Sequence, residues 1–291
     1  MDSNTKVSVE LFHQKVNQLT DDQWKLFLTR SVSEHVVEDV VMPTFPPESF
    51  QSSIHGHSGV TSINEAFNFF LEVKNVANRV GSPFSPSRYL LDFGCGWGRI
   101  GRMFMKDIQP SRIYAVEPES ANTIEARKNN YYTNIIQSEY EPPLVFGNGI
   151  FDYVVAWSVF SHLDEYLLRK WLEEFRRVLK PGGLVAITSQ GRSFFDYVAQ
   201  LKEIKERGEP LGHAWHETLV RHFVDLPSMK KQYDDGNFIH VQSHGSGNHY
   251  GEAFIPLGFA QRIAQEMKME LVEFMESGTK LPQSLIVLRA L

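Results

Sequence analysis

The chain predicts an α/β fold built on a doubly wound parallel sheet, and three observations predict it. Between residues 88 and about 190, short apolar runs of strand length alternate with longer amphipathic runs of helix length. One apolar run, Tyr89-Leu90-Leu91-Asp92-Phe93, passes straight into closely spaced glycines. Another stretch closes with Lys180-Pro181-Gly182-Gly183, a helix stop placed just before a further apolar run. Strands separated by helices pair in parallel through right-handed crossovers.

Residues 1 to about 85 read as helical. Val9, Leu11, Phe12, Val16 and Leu19 form one stripe, and Thr20-Asp21-Asp22 is a cap for a helix carrying Trp24, Leu26, Phe27 and Leu28. Met42-Pro43-Thr44-Phe45-Pro46-Pro47 cannot sustain a helix and reads as an extended connector. An apolar helix from Ile63 to Val80 stops at Gly81-Ser82-Pro83. The next region supplies strands at 89–93, 113–116, 151–156 and 184–188, with Leu168, Leu172, Phe175 and Leu179 on the apolar face of a helix between the last two. Residues 192 to about 252 break the rhythm: they are polar and turn-rich, hold six of the 11 histidines, and read as a lid or substrate loop without a clear core pattern. A helix from Leu257 to Met267 and two apolar runs, 271–275 and 284–288, complete the chain.

Composition narrows the function. The 291 residues are 42% hydrophobic and 22% charged, which is ordinary for a globular chain and argues against disorder. The net charge of −6 speaks against a broad nucleic-acid footprint. A single cysteine excludes an intramolecular disulfide and a multi-cysteine zinc site, and fits a reducing compartment. No secretory signal and no apolar run of about 18 residues is visible, so a cytoplasmic protein without membrane association is expected.

The densest signal is Leu91-Asp92-Phe93-Gly94-Cys95-Gly96-Trp97-Gly98-Arg99-Ile100-Gly101-Arg102. A buried strand, a glycine turn and an expected helix let a ligand approach the backbone at the carboxyl edge of the sheet. Two readings stand. Gly96, Gly98 and Gly101 match the dinucleotide fingerprint literally, with Glu117 placed as a ribose acid, which would make the chain an NAD(P)-dependent oxidoreductase. Counted from the strand end at Phe93, however, the first turn glycine is Gly94, and Arg99 then occupies the third fingerprint position.

The sequence resembles the class I S-adenosylmethionine-dependent methyltransferases. The resemblance rests on Leu91 to Gly98, on Val116-Glu117-Pro118, on the run from Phe151 to Leu163, and on Phe175 to Gly183. It implies a Rossmann-like, seven-stranded, mostly parallel sheet. It divides the chain into an N-terminal helical cap (1–85), a cofactor-binding core (86–191), an inserted substrate lid (192–252) and a C-terminal completion of the sheet (253–291). By the same resemblance Gly94, Cys95 and Gly96 let the backbone approach the methionine part of S-adenosylmethionine, and Asp92 positions its ammonium group. Glu117 accepts from both ribose hydroxyls, and Pro118 packs near the adenine. Trp157 and Ser158 lie near the methionine moiety. Many family members hold the adenine amino group with an aspartate before the fourth strand; here Ser138 or Glu139 takes that place. Trp97 is read either as packing or as a cofactor contact, and Cys95 as a small loop residue.

In-line methyl transfer needs a base only when the acceptor must lose a proton. His162, just beyond the fourth strand, is the best-placed imidazole. His216, His249 and Tyr250 belong to a region of interleaved histidines, aromatics and glycines. Gln51, His55 and His57 sit where the N-terminal segment is expected to fold over the cofactor. The histidine spacings, such as His213 with His216, are not diagnostic of a metal, and none is expected. The expected acceptor is a small polar metabolite or natural-product intermediate. A non-catalytic adenosyl-binding module is the other reading.

Overall fold

The computed structural model describes residues 9–130, 132–242 and 250–291. The chain clusters into two units, one ending at Trp157 and including 178–184, the other comprising 158–177 and 185–291.

The first unit begins with helices α1 (Val9–Val16) and α2 (Asp21–Arg30). The cap expected at Thr20 is present: its hydroxyl accepts from the Gln23 N–H at 3.2 Å, while the Gln23 side chain accepts from the Thr20 N–H at 2.8 Å. A two-residue hairpin, β1 (Val36–Val37) and β2 (Val40–Val41), precedes the proline connector. Helix α3 (Glu48–His55) and the long helix α4 (Gly59–Arg79) follow. Helix α4 buries Ile63, Phe67, Phe70, Val73 and Ala77 on one stripe and ends before Gly81, as its apolar period predicts. Strands β3 (Leu90–Phe93) and β4 (Ile113–Glu117), helix α5 (Ser120–Asn129), and strands β5 (Asn134–Gln137) and β6 (Phe151–Ala156) build the sheet. β3 pairs in parallel with β4 and β6, and β4 with β5.

Asp152 clamps this sheet at the start of β6. Burial alone would raise its pKa, but bonds from Lys180 Nζ (2.7 Å), the Tyr89 N–H (2.8 Å) and Arg88 Nη1 (2.6 Å) hold it below the usual carboxylate range. Two motif segments, around Asp152 and around Lys180, are thus joined by one buried carboxylate.

The second unit holds most of helix α6 (Glu165–Val178), capped by Asp164 Oδ1 on the Leu167 N–H at 2.9 Å, and the later part of strand β7 (Leu179–Ser189). Residues 192–252 depart from the expectation of a coreless loop. Helices α7 (Ser193–Glu206), α8 (Ala214–His222) and α9 (Leu226–Asp234), with the hairpin β8 (Ile239–Val241) and β9 (Glu252–Phe254), share a hydrophobic core of their own. Phe195 and Phe254 stack at 4.5 Å in its centre. The apolar positions were hidden because short helices interrupted by His, Lys and Gly give no long period. Helix α10 (Leu257–Glu266) leads to the antiparallel pair β10 (Met269–Met275) and β11 (Ser284–Ala290). The strand order β10-β11-β7-β6-β3-β4-β5 makes a seven-stranded, mostly parallel sheet. No described helix is long and apolar enough to cross a membrane.

Candidate functional site

The turn after β3 is built by backbone conformation. Gly94, Gly96 and Gly98 all adopt the left-handed region, at φ 68°, 54° and 86°, where a side chain is strained. The N–H groups of Gly94 and Cys95 both donate to the Val116 carbonyl, at 2.9 and 3.1 Å, which lays the turn against the end of β4. Gly94 is therefore the first turn glycine. The α-helix expected next is absent: the chain passes through turns into a short 3-10 helix, Gly101–Lys106. Gly101 stays small because a Cβ there would stand 3.1 Å from Asp92 Oδ2.

Asp92 is buried at the end of β3. Its Oδ2 accepts from the Gly101 N–H at 2.8 Å, and its Oδ1 has no hydrogen-bond partner among the described residues. Burial pushes its pKa up to about 7, against the opposing Gly101 bond. Arg99, equally buried, donates Nη1 to the Ser62 carbonyl at 3.0 Å and to Glu65 Oε2 at 2.7 Å, while its Nε and Nη2 have no hydrogen-bond partner among the described residues. His57 Nε2 lies 3.4 Å from the same Glu65 oxygen.

Glu117 closes the other side of the turn. Oε2 accepts from the Gly96 N–H at 2.9 Å; Oε1 accepts from the Glu119 N–H at 3.1 Å and from Asn122 Nδ2 at 3.2 Å. Burial raises its pKa despite these bonds. A carboxylate offers about four acceptor positions. Three are used, so a pair of ribose hydroxyls fits once the Asn122 amide turns away.

A donor set of this kind fits S-adenosylmethionine. A buried carboxylate with an open oxygen suits an α-ammonium, and a buried guanidinium with open N–H groups suits an α-carboxylate. Sequence reasoning missed Arg99, Glu65 and Asn122. Arg99 was visible as a charge inside an apolar motif, which is the signal that would have found it.

Other expected residues fall as follows. The Ser138 hydroxyl is buried with no partner among the described residues, whereas Glu139 is exposed. Pro118 follows Glu117, and its carbonyl accepts from Gln137 Nε2 at 3.4 Å. The rings of Trp97 and Phe45 both lie against the Arg102 guanidinium. The Cys95 thiol is buried, which drives its pKa well up. Gln51 is occupied by its own segment, donating to the Pro46 carbonyl (2.8 Å) and accepting from the Gly59 N–H (3.0 Å). Trp157 packs on Phe69, ring centroids 5.0 Å apart.

In the second unit, Ser158 sits at φ 57°, a conformation costly for serine. Its N–H donates to Thr188 Oγ1 at 2.7 Å and its hydroxyl accepts from Gln283 Nε2 at 2.9 Å. His162 lies against Tyr250, rings stacked at 4.8 Å, and remains 20% exposed. His216 has both nitrogens engaged, Nδ1 donating to the Leu211 carbonyl (2.7 Å) and Nε2 accepting from the Tyr197 hydroxyl (2.7 Å). His249 and the His55 side chain lie outside the described residues.

A family model described as a methyltransferase domain matches residues 90–183. In fold, the chain is similar to the magnesium protoporphyrin IX methyltransferase of Synechocystis PCC 6803, solved with S-adenosylhomocysteine bound. The TM-score is 0.51 at 11% identity, covering 84% of this chain and 94% of that one. A SAM-dependent methyltransferase of Methanosarcina mazei matches with a TM-score of 0.46 at 17% identity, over 71% of this chain and 94% of that one. No curated protein matches the chain in sequence.

Proposed function

We propose that this chain, whose residues 90–183 match a methyltransferase domain, is a class I S-adenosylmethionine-dependent methyltransferase that methylates a small polar metabolite or natural-product intermediate by in-line transfer. S-Adenosylmethionine supplies an activated methyl group on a sulfonium; the chain's residues supply binding, alignment and proton handling. The observation that carries the reading is the Asp92 carboxylate, buried beside three left-handed glycines with one oxygen left open.

In this reading Asp92 and the Gly94-Cys95-Gly96 backbone hold the aminoacyl end, joined by Arg99. Glu117 holds the sugar, and Pro118 with the Ser138 hydroxyl holds the base. Trp157 and Ser158 flank the methionine moiety, and His162 handles the proton. Gln51 and His57 support the loop from the N-terminal side. A net charge of −6 disfavours a polyanionic acceptor, which supports a small molecule over nucleic acid. The single, buried cysteine supports work in the cytoplasm.

Thermal-shift titration tests binding: S-adenosylhomocysteine raises Tm and NAD(H) does not. Transfer of labelled methyl from S-adenosylmethionine into a small-molecule extract then tests the acceptor class. Label found only in protein or nucleic acid would overturn it.

A further inference from the structure

Arg99 lies inside the first unit with one side of its guanidinium tied and the other open. The side chain is 1% exposed. Nη1 donates to the Ser62 carbonyl at 3.0 Å and to Glu65 Oε2 at 2.7 Å, with the Ser62 hydroxyl at 3.4 Å. Both partners belong to helix α4. Nε and Nη2 have no hydrogen-bond partner among the described residues.

In a trigonal guanidinium the edge between Nε and Nη2 points opposite to Nη1. That edge carries two parallel N–H groups, a fork that matches the two oxygens of a carboxylate. A charged donor left unmade in a dry site carries a heavy desolvation penalty, so an edge kept open there marks where a ligand docks. Asp92 is near enough that the two charges act on each other's titration, and its Oδ1 is open as well. An open carboxylate oxygen beside an open fork edge matches the ammonium and the carboxylate of one amino-acid group. Arginine alone does not fix this aim. Its side chain is rich in rotamers, and ordering it on binding costs affinity. The bonds from Nη1 to α4 order it beforehand.

We infer that Glu65, with the Ser62 carbonyl, is a positioning residue that turns the fork edge of Arg99 onto the α-carboxylate of the cofactor, and that the chain thereby selects S-adenosylmethionine over the decarboxylated form of the same sulfonium. This rests on the methyltransferase reading and names what decides between two ligands that share a nucleoside, a sulfonium and an ammonium. Without the carboxylate the fork edge stays buried and unmade. A site built to hydrogen-bond a group rejects the analogue that lacks it.

Isothermal titration of the full chain tests this with S-adenosylhomocysteine and its decarboxylated analogue, in which hydrogen replaces the carboxylate. The unaltered chain should bind S-adenosylhomocysteine about 10- to 100-fold more tightly. Glu65→Ala should lower that ratio about 10-fold by weakening S-adenosylhomocysteine alone. Glu65→Gln, which keeps an acceptor oxygen for Nη1, should retain most of it. A role confined to helix packing would weaken both ligands alike and leave the ratio unmoved. Equal affinities in the unaltered chain, or a Glu65→Ala ratio equal to the parent's, would overturn the assignment and leave the cofactor class standing. Should Glu65→Ala fail to fold, Glu65→Asp decides in its place: it draws the acceptor back by one carbon and should also lower the ratio, and an unchanged ratio overturns the assignment. Binding of neither ligand would sink the methyltransferase reading itself, and this assignment with it.

Discussion

Asp92 carries two unlike oxygens: one is spent on the Gly101 N–H, the other has no partner among the described residues. Burial holds its pKa near 7, so without ligand the folded protein binds a proton here that the unfolded chain has already lost above pH 4. The sign follows. This group's penalty is absent below the unfolded pKa, grows as pH rises from there to about 7, and is complete above it. Asp92→Asn should therefore raise Tm at pH 8 more than at pH 5, by on the order of 2–4 kcal/mol in stability, while losing stabilisation by S-adenosylhomocysteine. Calorimetry at the two pH values, with and without ligand, checks both halves. Glu117 is more fully satisfied, so its substitution reads out mainly in binding. Glu117→Gln turns one acceptor oxygen into a donor facing other donors, and should weaken S-adenosylhomocysteine about 10- to 100-fold, measured by isothermal titration.

Among elements, the glycine turn is the most demanding. Gly98 sits at φ 86°, and a Cβ there would stand 2.3 Å from Asn130 Nδ2. Asn130 cannot yield easily, because that nitrogen donates to the Trp97 carbonyl (2.6 Å) and to the Ala126 carbonyl (3.0 Å), while its oxygen accepts from Arg102 Nη2 (2.7 Å). Gly98→Ala should cost about 2–4 kcal/mol, read from urea unfolding. The helices of residues 193–234 make a separate case. Phe254 from β9 stacks on Phe195 and meets Phe194, Phe223 and Tyr233 edge-on. Phe254→Ala should cost about 3–5 kcal/mol while leaving the first unit's cofactor residues intact, so S-adenosylhomocysteine should still bind below the variant's Tm. The cap at Thr20, the stop at Gly81 and the strands at 90–93 and 151–156 were legible, because each depends on residues a few positions apart. The 3-10 segment after Gly98 was not: what decides it is the pull of Asp92 on the Gly101 N–H and of Asn130 on the loop, both set by packing.

At the scale of the molecule, ligand binding and stability are linked. A ligand at 100 times its Kd adds about 2.7 kcal/mol to the state that binds it. Because the residues assigned to the cofactor lie largely in the first unit, S-adenosylhomocysteine should slow hydrogen exchange over residues 94–101 and 117–123 more than over α7, α8 and α9. Equal protection everywhere would show that the two units open together.

Sequence alone determined the sheet, the glycine turn and the acid after β4, because these rest on periodicity, on backbone conformations that only glycine adopts cheaply, and on short spacings; the choice between two adenosyl cofactors came from a family resemblance. Only the tertiary structure decided which buried charges keep an atom without a hydrogen-bond partner among the described residues, that His216 is spent on Tyr197 and Leu211, and that His162 meets Gly251 and Glu252. The His162 contacts join residues some 90 positions apart, and no local pattern encodes a distance across that much chain. Burial then gives each meeting its chemical weight, by removing the water that would otherwise screen it.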